Sequence, residues 1–522
     1  MKLKKIAALL LAVVMLALIG CSGDKPDSDS HGSTGENSAP AEAKGSLTLL
    51  YCSNDTINPY KTISKLNAEL GLLLFEPLMK VDNQFNAIPA LADTATVEGT
   101  VCTVTLKNVL FSDGSPLTAS DVVFSYNLAK NSSRYSSLLY EVVSVYEGDE
   151  KSIIFNLSRH DPYFASLLTF PILKQGSDGL KNEDNVELVP IGCGRFVFSD
   201  DGTVLVPNEK YYGGSTNVTK INLINAPDNE SMEHYVEVGA TDLYYADPSF
   251  ENIIRMSGKK TSVNINNMVY IGINHNYGPL KDANLRYAIS SAVDRTEIAT
   301  TAFYTNALPA TGFYHPLWEV AARYQTLPIS ADKKISVENL EEIGYNSLDV
   351  SGYRVNSAGK PLTLTLLVNS DSPSKLSAAN LICEQLKAVG IKVVVNPLPA
   401  DRYFSSLQSG SFQLYLGEVK LLPNMDLGPL VLAGGSAAYG MINAAPQTEN
   451  EAFNDETSYI SVMQGLSAGT NTVTDSAPAL LASMPVVPLV YRSSVVFYSD
   501  KIKDFGNVSA FDLFIALDEL KF

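Results

Sequence analysis

The chain has 522 residues, 45% of them hydrophobic, which is enough for a large core and predicts two or three structural domains. Its formal net charge is −18 at pH 7, and the sequence shows no cluster of Lys or Arg. This composition argues against nucleic-acid binding, because neutralising phosphates needs clustered basic side chains. After residue 20, no segment is apolar and long enough to predict a transmembrane helix.

The first residues have the parts of a secretory signal. Lys2, Lys4 and Lys5 precede an uninterrupted apolar stretch over 6–20, which is too short to span a membrane. The stretch leads into Leu18-Ile19-Gly20-Cys21, which resembles the bacterial lipobox. That resemblance implies cleavage before Cys21, lipid on its sulfur, and a mature protein at the outer face of the cytoplasmic membrane or in the periplasm. The alternative is an ordinary signal with a bystander cysteine.

A polar segment and the first folded elements follow the signal. Residues 21–45 are dominated by Ser, Gly, Asp, Pro, Glu, Asn and Ala, which bury too little to order a chain, so we predict a flexible tether. An apolar run at 47–51 predicts a strand, and residues 68–75 predict a helix that Pro77 ends. Apolar residues alternate with threonines over 102–106, which predicts a half-buried strand.

The run over 111–126 combines a turn with a helix start. Asp113-Gly114 predicts the turn, and Thr118 with Asp121 three residues later has the pattern of a capping box. This run closely resembles the signature of the family 5 extracytoplasmic solute-binding proteins, which are the oligopeptide, dipeptide and nickel receptors of ABC importers.

Further segments resemble the same family in the same order. Pro190-Ile191-Gly192-Cys193-Gly194-Arg195-Phe196 is similar to the family's Gly-Thr-Gly-Pro-Tyr segment, with Cys193 and Arg195 departing from it. The others are at 208–214, 239–242 and 280–295. Because the resemblance extends along nearly all of the mature chain, it is more specific than one motif.

The resemblance implies an α/β, two-lobed fold of the periplasmic-binding-protein type, with an additional subdomain inserted in lobe I. The predicted ranges are the signal peptide at 1–20, the tether at 21–45, lobe I at 46–62, 184–273 and 491–522, the inserted subdomain at 63–183, and lobe II at 274–490. These names are kept for these residue ranges below.

The segment that starts lobe II predicts a helix on physical grounds alone. Asp282 is a suitable N-cap, and Leu285, Ala288 and Ile289 fall on one apolar face. We interpret the Asp294-Arg295 pair that follows as a solvated helix end.

From residue 360 the pattern alternates between strand and helix. The predicted elements are a strand at 362–368, a helix at 375–389, and strands at 391–395, 412–418 and 488–497. Two strands joined by a helix should be parallel, and open sheets of this kind bind ligands beyond the carboxyl ends of their strands.

A two-lobed receptor encloses its ligand in the cleft between the lobes. Strand ends and the crossover between lobes therefore supply the candidate ligand-binding residues, which are Tyr51, Asn54, Asn58, Tyr270, Asn274, Glu418 and Asp426. The alternative for each of them is an ordinary turn residue.

The ligand class depends on the run over 417–426. Peptide receptors of the family have a run resembling Trp-x-x-Asp-Tyr-x-Asp-Pro, whose first aspartate pairs with the peptide's amine. Here the tryptophan is missing, and the amine-binding position falls on Leu421 or Leu422. Asp426 matches the later aspartate, and Glu418 can substitute for the missing charge. Short peptides are the favoured solute, with glycans and metal chelates as alternatives.

No cofactor or metal site is predicted. The five histidines show neither paired spacing nor a nearby cysteine, which a zinc site normally has. Cys52, Cys102, Cys193 and Cys383 are interpreted as free thiols, and a bond between Cys52 and Cys193 is left open.

One enzymatic motif is present in the sequence. Gly465-Leu466-Ser467-Ala468-Gly469 matches the nucleophile elbow of serine hydrolases, but no histidine follows His315 to take the serine proton. We interpret the match as a small-residue loop and predict a binding protein without catalytic residues. Its predicted partners are a solute and the transmembrane subunits of an ABC permease, and it is predicted to act as a monomer. An alternative from a different functional class is a surface lipoprotein that acts as a sensor or adhesin and does not transport.

Overall fold

The computed structural model describes residues 44–247, 254–441 and 458–522. The predicted signal peptide, Cys21 and the tether up to residue 43 lie outside the described residues. Within the described ranges, no helix combines the length and the apolar character that crossing a bilayer requires.

The described chain contains both strands and α-helices. The strands are β1 (Gly45–Tyr51), β2 (Met79–Val81), β3 (Ala87–Pro89), β4 (Ala92–Glu98), β5 (Val101–Leu106), β6 (Val142–Asp149), β7 (Ser152–Leu157), β8 (Phe196–Phe198), β9 (Val204–Pro207), β10 (Val218–Asn225), β11 (Leu243–Ala246), β12 (Lys259–Ile273), β13 (Ala307–Pro309), β14 (Ser347–Leu348), β15 (Arg354–Val355), β16 (Thr363–Asn369), β17 (Lys392–Leu398), β18 (Leu414–Lys420) and β19 (Val486–Tyr498). The α-helices are α1 (Lys65–Leu74), α2 (Ala119–Asn131), α3 (Asn229–Glu237), α4 (Ala283–Ala292), α5 (Arg295–Glu297), α6 (Glu319–Ala322), α7 (Lys333–Glu342), α8 (Pro373–Lys387), α9 (Ala400–Gln408), α10 (Gly428–Val431), α11 (Tyr459–Ala468) and α12 (Val473–Ser483).

Lobe I contains a four-stranded sheet in the order β1-β10-β9-β8. Its first strand is where the apolar run predicted it, and it pairs in parallel with β10 up to Tyr51 opposite Asn225. Leu47 and Leu49 are buried and pack with Leu70 and Leu73 of α1. Burying one such leucine contributes about 1.5–3 kcal/mol, so this apolar face holds α1 against the sheet.

The inserted subdomain has its own antiparallel sheet, in the order β4-β5-β7-β6. Every second residue of β5 is buried, which confirms the predicted half-buried strand. At the start of α2, Asp121 Oδ2 accepts hydrogen bonds from the backbone N–H of Thr118 at 2.9 Å and from its hydroxyl at 2.7 Å. The predicted capping box is therefore confirmed.

Two long strands lie at the boundary between lobe I and lobe II, where β12 ends at Ile273 and β19 crosses residue 490. β12 and β19 pair with each other along most of their length, with irregular register between Asn264 and Met268 and between Val269 and Tyr270. At one end β11 pairs with β19, and at the other end β18 pairs with β12.

Lobe II contains the predicted alternating unit. β16 and β17 are parallel and joined by α8, and β18 lies parallel to β16 on its other side. Because the three strands share one direction, their carboxyl ends lie at the same edge of the sheet. This edge carries the largest cavity described below.

The interpretation of Arg295 as part of a solvated helix end is wrong. Its side chain is fully buried, and its guanidinium donates to the carbonyl oxygens of Pro488 at 2.8 Å, Ser290 at 3.1 Å and Pro328 at 3.1 Å. The chain turns inward after α4, and three separate segments present carbonyl groups to one planar donor. Asp294 has the ordinary role of an N-cap, accepting from the Glu297 N–H at 2.8 Å.

Gly194 of lobe I lies against the backbone at the C-terminal end of α1. A Cβ at this position would come 2.2 Å from the carbonyl carbon of Leu74. Gly194→Ala should therefore lower the free energy of unfolding by roughly 1–3 kcal/mol, because backbone cannot move aside as a flexible side chain can. Urea unfolding measures the change, with Gly278→Ala as the control, since a Cβ there meets nothing within 4 Å. Equal stabilities of the two variants would contradict this packing.

Candidate functional site

A cavity of about 170 Å³ lies at the carboxyl-terminal edge of the lobe II sheet. It is lined by Tyr270, Asn369, Lys375, Tyr403, Phe404, Leu407, Tyr415, Leu416, Gly417, Glu418, Ser436, Ala437 and Tyr439. A cavity of roughly 150 Å³ can hold a molecule of benzene, so this one has room for about one amino-acid side chain or terminal group. Three other cavities among the described residues have only 20–30 Å³ each.

The secondary structure brings several elements to this edge. β16 ends at Asn369, and α8 begins four residues later with Ser372 as its N-cap, so Lys375 stands in the first turn of the helix. β18 contributes Gly417 and Glu418 near its own carboxyl end. The rule that open sheets bind ligands beyond their strand ends thus describes the cavity's position.

Aromatic rings form much of the wall. Tyr270 and Tyr415 meet edge to face with ring centroids 5.7 Å apart, and Tyr439 stands 6.1 Å from Tyr415. Two glycines make room for them, since a Cβ at Gly272 would lie 1.9 Å from the Tyr415 ring and one at Gly417 would lie 2.6 Å from the Tyr270 ring. Substitution of either glycine would displace the ring pair.

The charged part of the wall is centred on Glu418. Its Oε2 lies 2.8 Å from the Lys375 ammonium and 3.3 Å from the Arg492 guanidinium. Its Oε1 accepts a hydrogen bond from Asn267 at 3.1 Å. Burial on its own would raise the pKa of Glu418, but the two cations outweigh burial and the pKa is lowered. Glu418 is therefore ionised at neutral pH, and both of its oxygens are already engaged.

The same wall offers hydrogen-bond donors that the described residues do not fully use. The Lys375 ammonium has three N–H donors and lies 2.8 Å from one carboxylate oxygen of Glu418. The Asn369 side chain accepts from the Asp371 N–H through Oδ1, while its amide N–H₂ donates to no described group. The Tyr439 hydroxyl likewise has no hydrogen bond in the described ranges. The Lys375 ammonium, the Asn369 amide N–H₂ and the Tyr439 hydroxyl are therefore available to donate hydrogen bonds to a ligand.

The seven predicted ligand-binding residues do not form one cluster. The structure brings Tyr270 and Glu418 together in the lobe II cavity. In lobe I, Tyr51 ends β1, Asn54 donates to the Pro227 carbonyl at 3.2 Å, and buried Asn58 binds side chains of the 175–190 loop. No hydrogen bond within the described residues joins Tyr51, Asn54 or Asn58 to lobe II.

Asn274 and Asp426 lie away from the cavity. Asn274 follows β12 at the end opposite Glu418 and donates to the carbonyls of Gly410 and Phe412. Asp426 Oδ2 accepts from the Tyr140 hydroxyl at 2.7 Å and from Arg159 at 2.8 Å. Its carboxylate thus joins lobe II to the inserted subdomain, and its role toward a ligand stays a prediction.

Sequence reasoning missed several residues of the cavity wall. Asn369 and Lys375 follow the carboxyl end of a predicted strand, so the rule that selected Glu418 could have found them. Tyr403, Phe404 and Tyr439 come from a helix and a loop that no local pattern connects to β18. Their approach depends on tertiary packing, for which the sequence gives no signal.

The serine motif belongs to the end of a helix, so the interpretation as a loop is wrong. Residues 465–468 form the last turn of α11, and Gly469 ends it with a φ of 77°. The Ser467 hydroxyl accepts from Arg159 at 3.1 Å, and the nearby His160 ring bonds to the Gly99 carbonyl. The strand before the serine and the free histidine of an elbow are missing from the described surroundings of Ser467.

Cysteines and metal-ligating side chains give no further site in the described part of the chain. Cys52, Cys102, Cys193 and Cys383 are free, so the bond between Cys52 and Cys193 that the sequence left open is not formed. Within 44–247, 254–441 and 458–522, no three His, Cys, Asp or Glu side chains are grouped to hold a metal ion.

Comparison with known proteins finds a protein family whose model matches more than half of the chain. A family model described as bacterial extracellular solute-binding proteins, family 5 (middle), matches residues 86–429. The oligopeptide-binding protein AppA of Bacillus subtilis (strain 168) is 26% identical over 427 residues, covering 75% of this chain and 76% of that protein.

Solved structures resemble the fold over nearly its full length. The unliganded open form of the periplasmic murein tripeptide-binding protein MppA has a TM-score of 0.69 at 19% identity, covering 90% of this chain and 96% of its own. A nickel ABC transporter structure from Bacillus halodurans has a TM-score of 0.67 at 19% identity, covering 88% and 96%. The two-lobed α/β fold class predicted from the sequence is confirmed.

Proposed function

Because the chain belongs to family 5 of the bacterial extracellular solute-binding proteins, we propose that it captures short peptides between its lobes and delivers them to the permease of an ABC importer. The observation that carries the proposal is the lobe II cavity, which lies at the strand ends, has room for one residue, and combines aromatic walls with polar donors. Relatives named as oligopeptide-binding and murein peptide-binding proteins support peptides as the solute.

In this proposal one residue of the peptide enters the cavity, and the peptide backbone lies along the strand ends. Main-chain hydrogen bonds then supply affinity with little dependence on the other side chains. Closure about β12 and β19 would bring the lobe I residues Tyr51 and Asn54 over the bound peptide, as proposed contacts. Tyr270 and Glu418, which line the cavity, are the proposed contacts on the opposite side of the peptide.

We also propose that the mature protein is a monomer held at the membrane by lipid on Cys21. The lipobox-like run Leu18-Ile19-Gly20-Cys21 supports the lipid anchor. A lipid anchor would keep the receptor near its permease while leaving both lobes free to close.

Native mass spectrometry and thermal unfolding with peptide pools test the peptide assignment. The purified protein should retain a mixed set of short peptides, which are lost under mild denaturation. Peptide at about 100 times its dissociation constant should add roughly 2.7 kcal/mol of stability. For a chain of this size, that corresponds to a rise in melting temperature of about 3 °C.

The other outcomes separate the alternatives. No retained species and no shift with peptides would overturn the peptide assignment. A shift with glycans or metal chelates would then keep the receptor and change its solute. No shift with any of them would favour a sensor or adhesin that does not transport.

A further inference from the structure

We infer that the lobe II cavity binds a carboxylate group of the ligand, with Lys375 as the residue that contacts it. The inference rests on the proposed function, since it names the group of a peptide that the cavity recognises. It differs from the sequence-based prediction, in which Glu418 meets the ligand's ammonium group. The reason lies in the charges that surround Glu418.

Two cations share the single negative charge of Glu418. Lys375 and Arg492 lie on the same oxygen, at 2.8 and 3.3 Å, and Asn267 occupies the other oxygen. An incoming ammonium group would meet two like charges beside a carboxylate that already has three donors. An incoming carboxylate would meet a local charge of +1 among these three groups, and it would give a second acceptor to the Lys375 ammonium, which lines the cavity.

The uncommitted groups of the wall are suited to an anion. A carboxylate only accepts hydrogen bonds, and Lys375, Asn369 and Tyr439 present donors that no other described group uses. Lys375 also stands in the first turn of the 15-residue helix α8, whose N-terminal end carries a partial positive charge. The Lys375 side chain and the N-terminal end of α8 therefore both favour the binding of an anion.

No acid stands at the positions where the family's amine-binding aspartate would fall. Leu421 is buried in the core of lobe II, and Leu422 packs against the apolar core of the inserted subdomain. Asp426, the next acid along this run, pairs with Arg159. Among the described residues, this part of the cavity therefore has no free negative charge for an amine.

Peptide analogues identify which carboxylate is recognised. Isothermal titration calorimetry on the purified protein compares the tripeptide Ala-Leu-Ala with its C-terminal amide and its N-acetyl form. If the C-terminal carboxylate enters the cavity, amidation should weaken binding at least tenfold, and acetylation should weaken it much less. If an acidic side chain enters instead, Ala-Glu-Ala amide should bind at least tenfold more tightly than Ala-Gln-Ala amide.

Substitutions test the residue. Lys375→Met should weaken binding of the carboxylate form at least tenfold and leave the amide nearly unchanged, while Lys375→Arg keeps the charge and most of the affinity. Glu418→Gln gives opposite expectations: it should maintain or strengthen binding of the carboxylate form, whereas an amine-binding Glu418 would lose its ligand. Lys375→Met leaves the ion pair between Glu418 and Arg492 in place. The test of Lys375 therefore remains valid even if Glu418→Gln folds poorly.

Failure of this inference differs from failure of the proposed function. If acid and amide forms bind equally, or if Glu418→Gln abolishes binding while Lys375→Met does not, a peptide receptor stands and the carboxylate site is overturned. If no tripeptide binds and the retained species are not peptides, the proposed function fails, and this inference fails with it.

Discussion

Replacing Arg159 with methionine should lower the free energy of unfolding by about 3–5 kcal/mol, because the change leaves two carboxylates without their cation. The Arg159 guanidinium lies 2.8 Å from Asp426 and pairs also with Glu141. The Glu141 side chain is fully buried and that of Asp426 is 8% exposed, so water cannot replace the lost partner.

These contacts join the inserted subdomain to lobe II. Arg159 comes from the subdomain, and Asp426 and Ser467 come from lobe II, with Tyr140 donating to Asp426 beside them. A second contact of the same kind is the hydrogen bond from Asn424 to Asp161 at 2.8 Å. Loss of Arg159 should therefore loosen this boundary rather than the core of either part.

The effect of Arg159→Met should depend on pH. Burial raises the pKa of Glu141, and attraction to Arg159 partly offsets that rise. Without Arg159 the pKa of Glu141 rises further, so its carboxyl group is protonated more readily in the folded state than in the unfolded state. A group with a raised folded-state pKa loses stability as pH rises, so the cost of the substitution should be smaller at pH 5 than at pH 8.

Urea unfolding followed by tryptophan fluorescence measures this change. Trp318 is the single tryptophan of the chain, and it packs against Tyr163 of the inserted subdomain with ring centroids 4.9 Å apart. Lys334→Met is the control, because Lys334 pairs with Glu338 on an exposed helix face, where ion pairs contribute about 0–1 kcal/mol. An equally small effect of both substitutions would mean that the Arg159 contacts do not stabilise the fold.

Local patterns predicted the elements that form the candidate site. The strand predicted at 362–368 is β16, and the helix predicted at 375–389 is α8, each within two residues at either end. The strand rule also placed Glu418 at the cavity. Such predictions succeed because alternation, helical spacing and caps are properties of neighbouring residues.

The charge at the site was not predictable in the same way. Glu418 is an isolated acid in the sequence, but Arg492, 74 positions later, and Lys375 neutralise it in the fold. Asp426 was selected as a ligand contact, yet its carboxylate pairs with Arg159, which is 267 positions away. Pairings at such separations are set by how sheets and lobes pack, and no spacing in the sequence indicates them.

Arg295→Lys should cost at least about 3 kcal/mol of stability, although the substitution keeps the formal charge. Arg295 donates to carbonyls of three separate segments and to the Ser290 hydroxyl at 2.8 Å. A lysine has its three donors on one atom and cannot reach all of these acceptors, so some buried carbonyls would lose their partner at about 1–3 kcal/mol each.

Burial adds to the cost of a lysine at this position. Burial lowers the pKa of Arg295 to about 10, although the nearby charge of Asp294 partly opposes this change. The guanidinium therefore stays charged at neutral pH. Lysine starts from a lower pKa and would be driven toward its neutral form in the same enclosure. Urea unfolding of Arg295→Lys measures the loss, and Arg402→Lys on the exposed face of α9 should change stability by less than about 0.5 kcal/mol. If both variants unfold at the same urea concentration, the charge alone and not the planar set of donors holds α4 to β19.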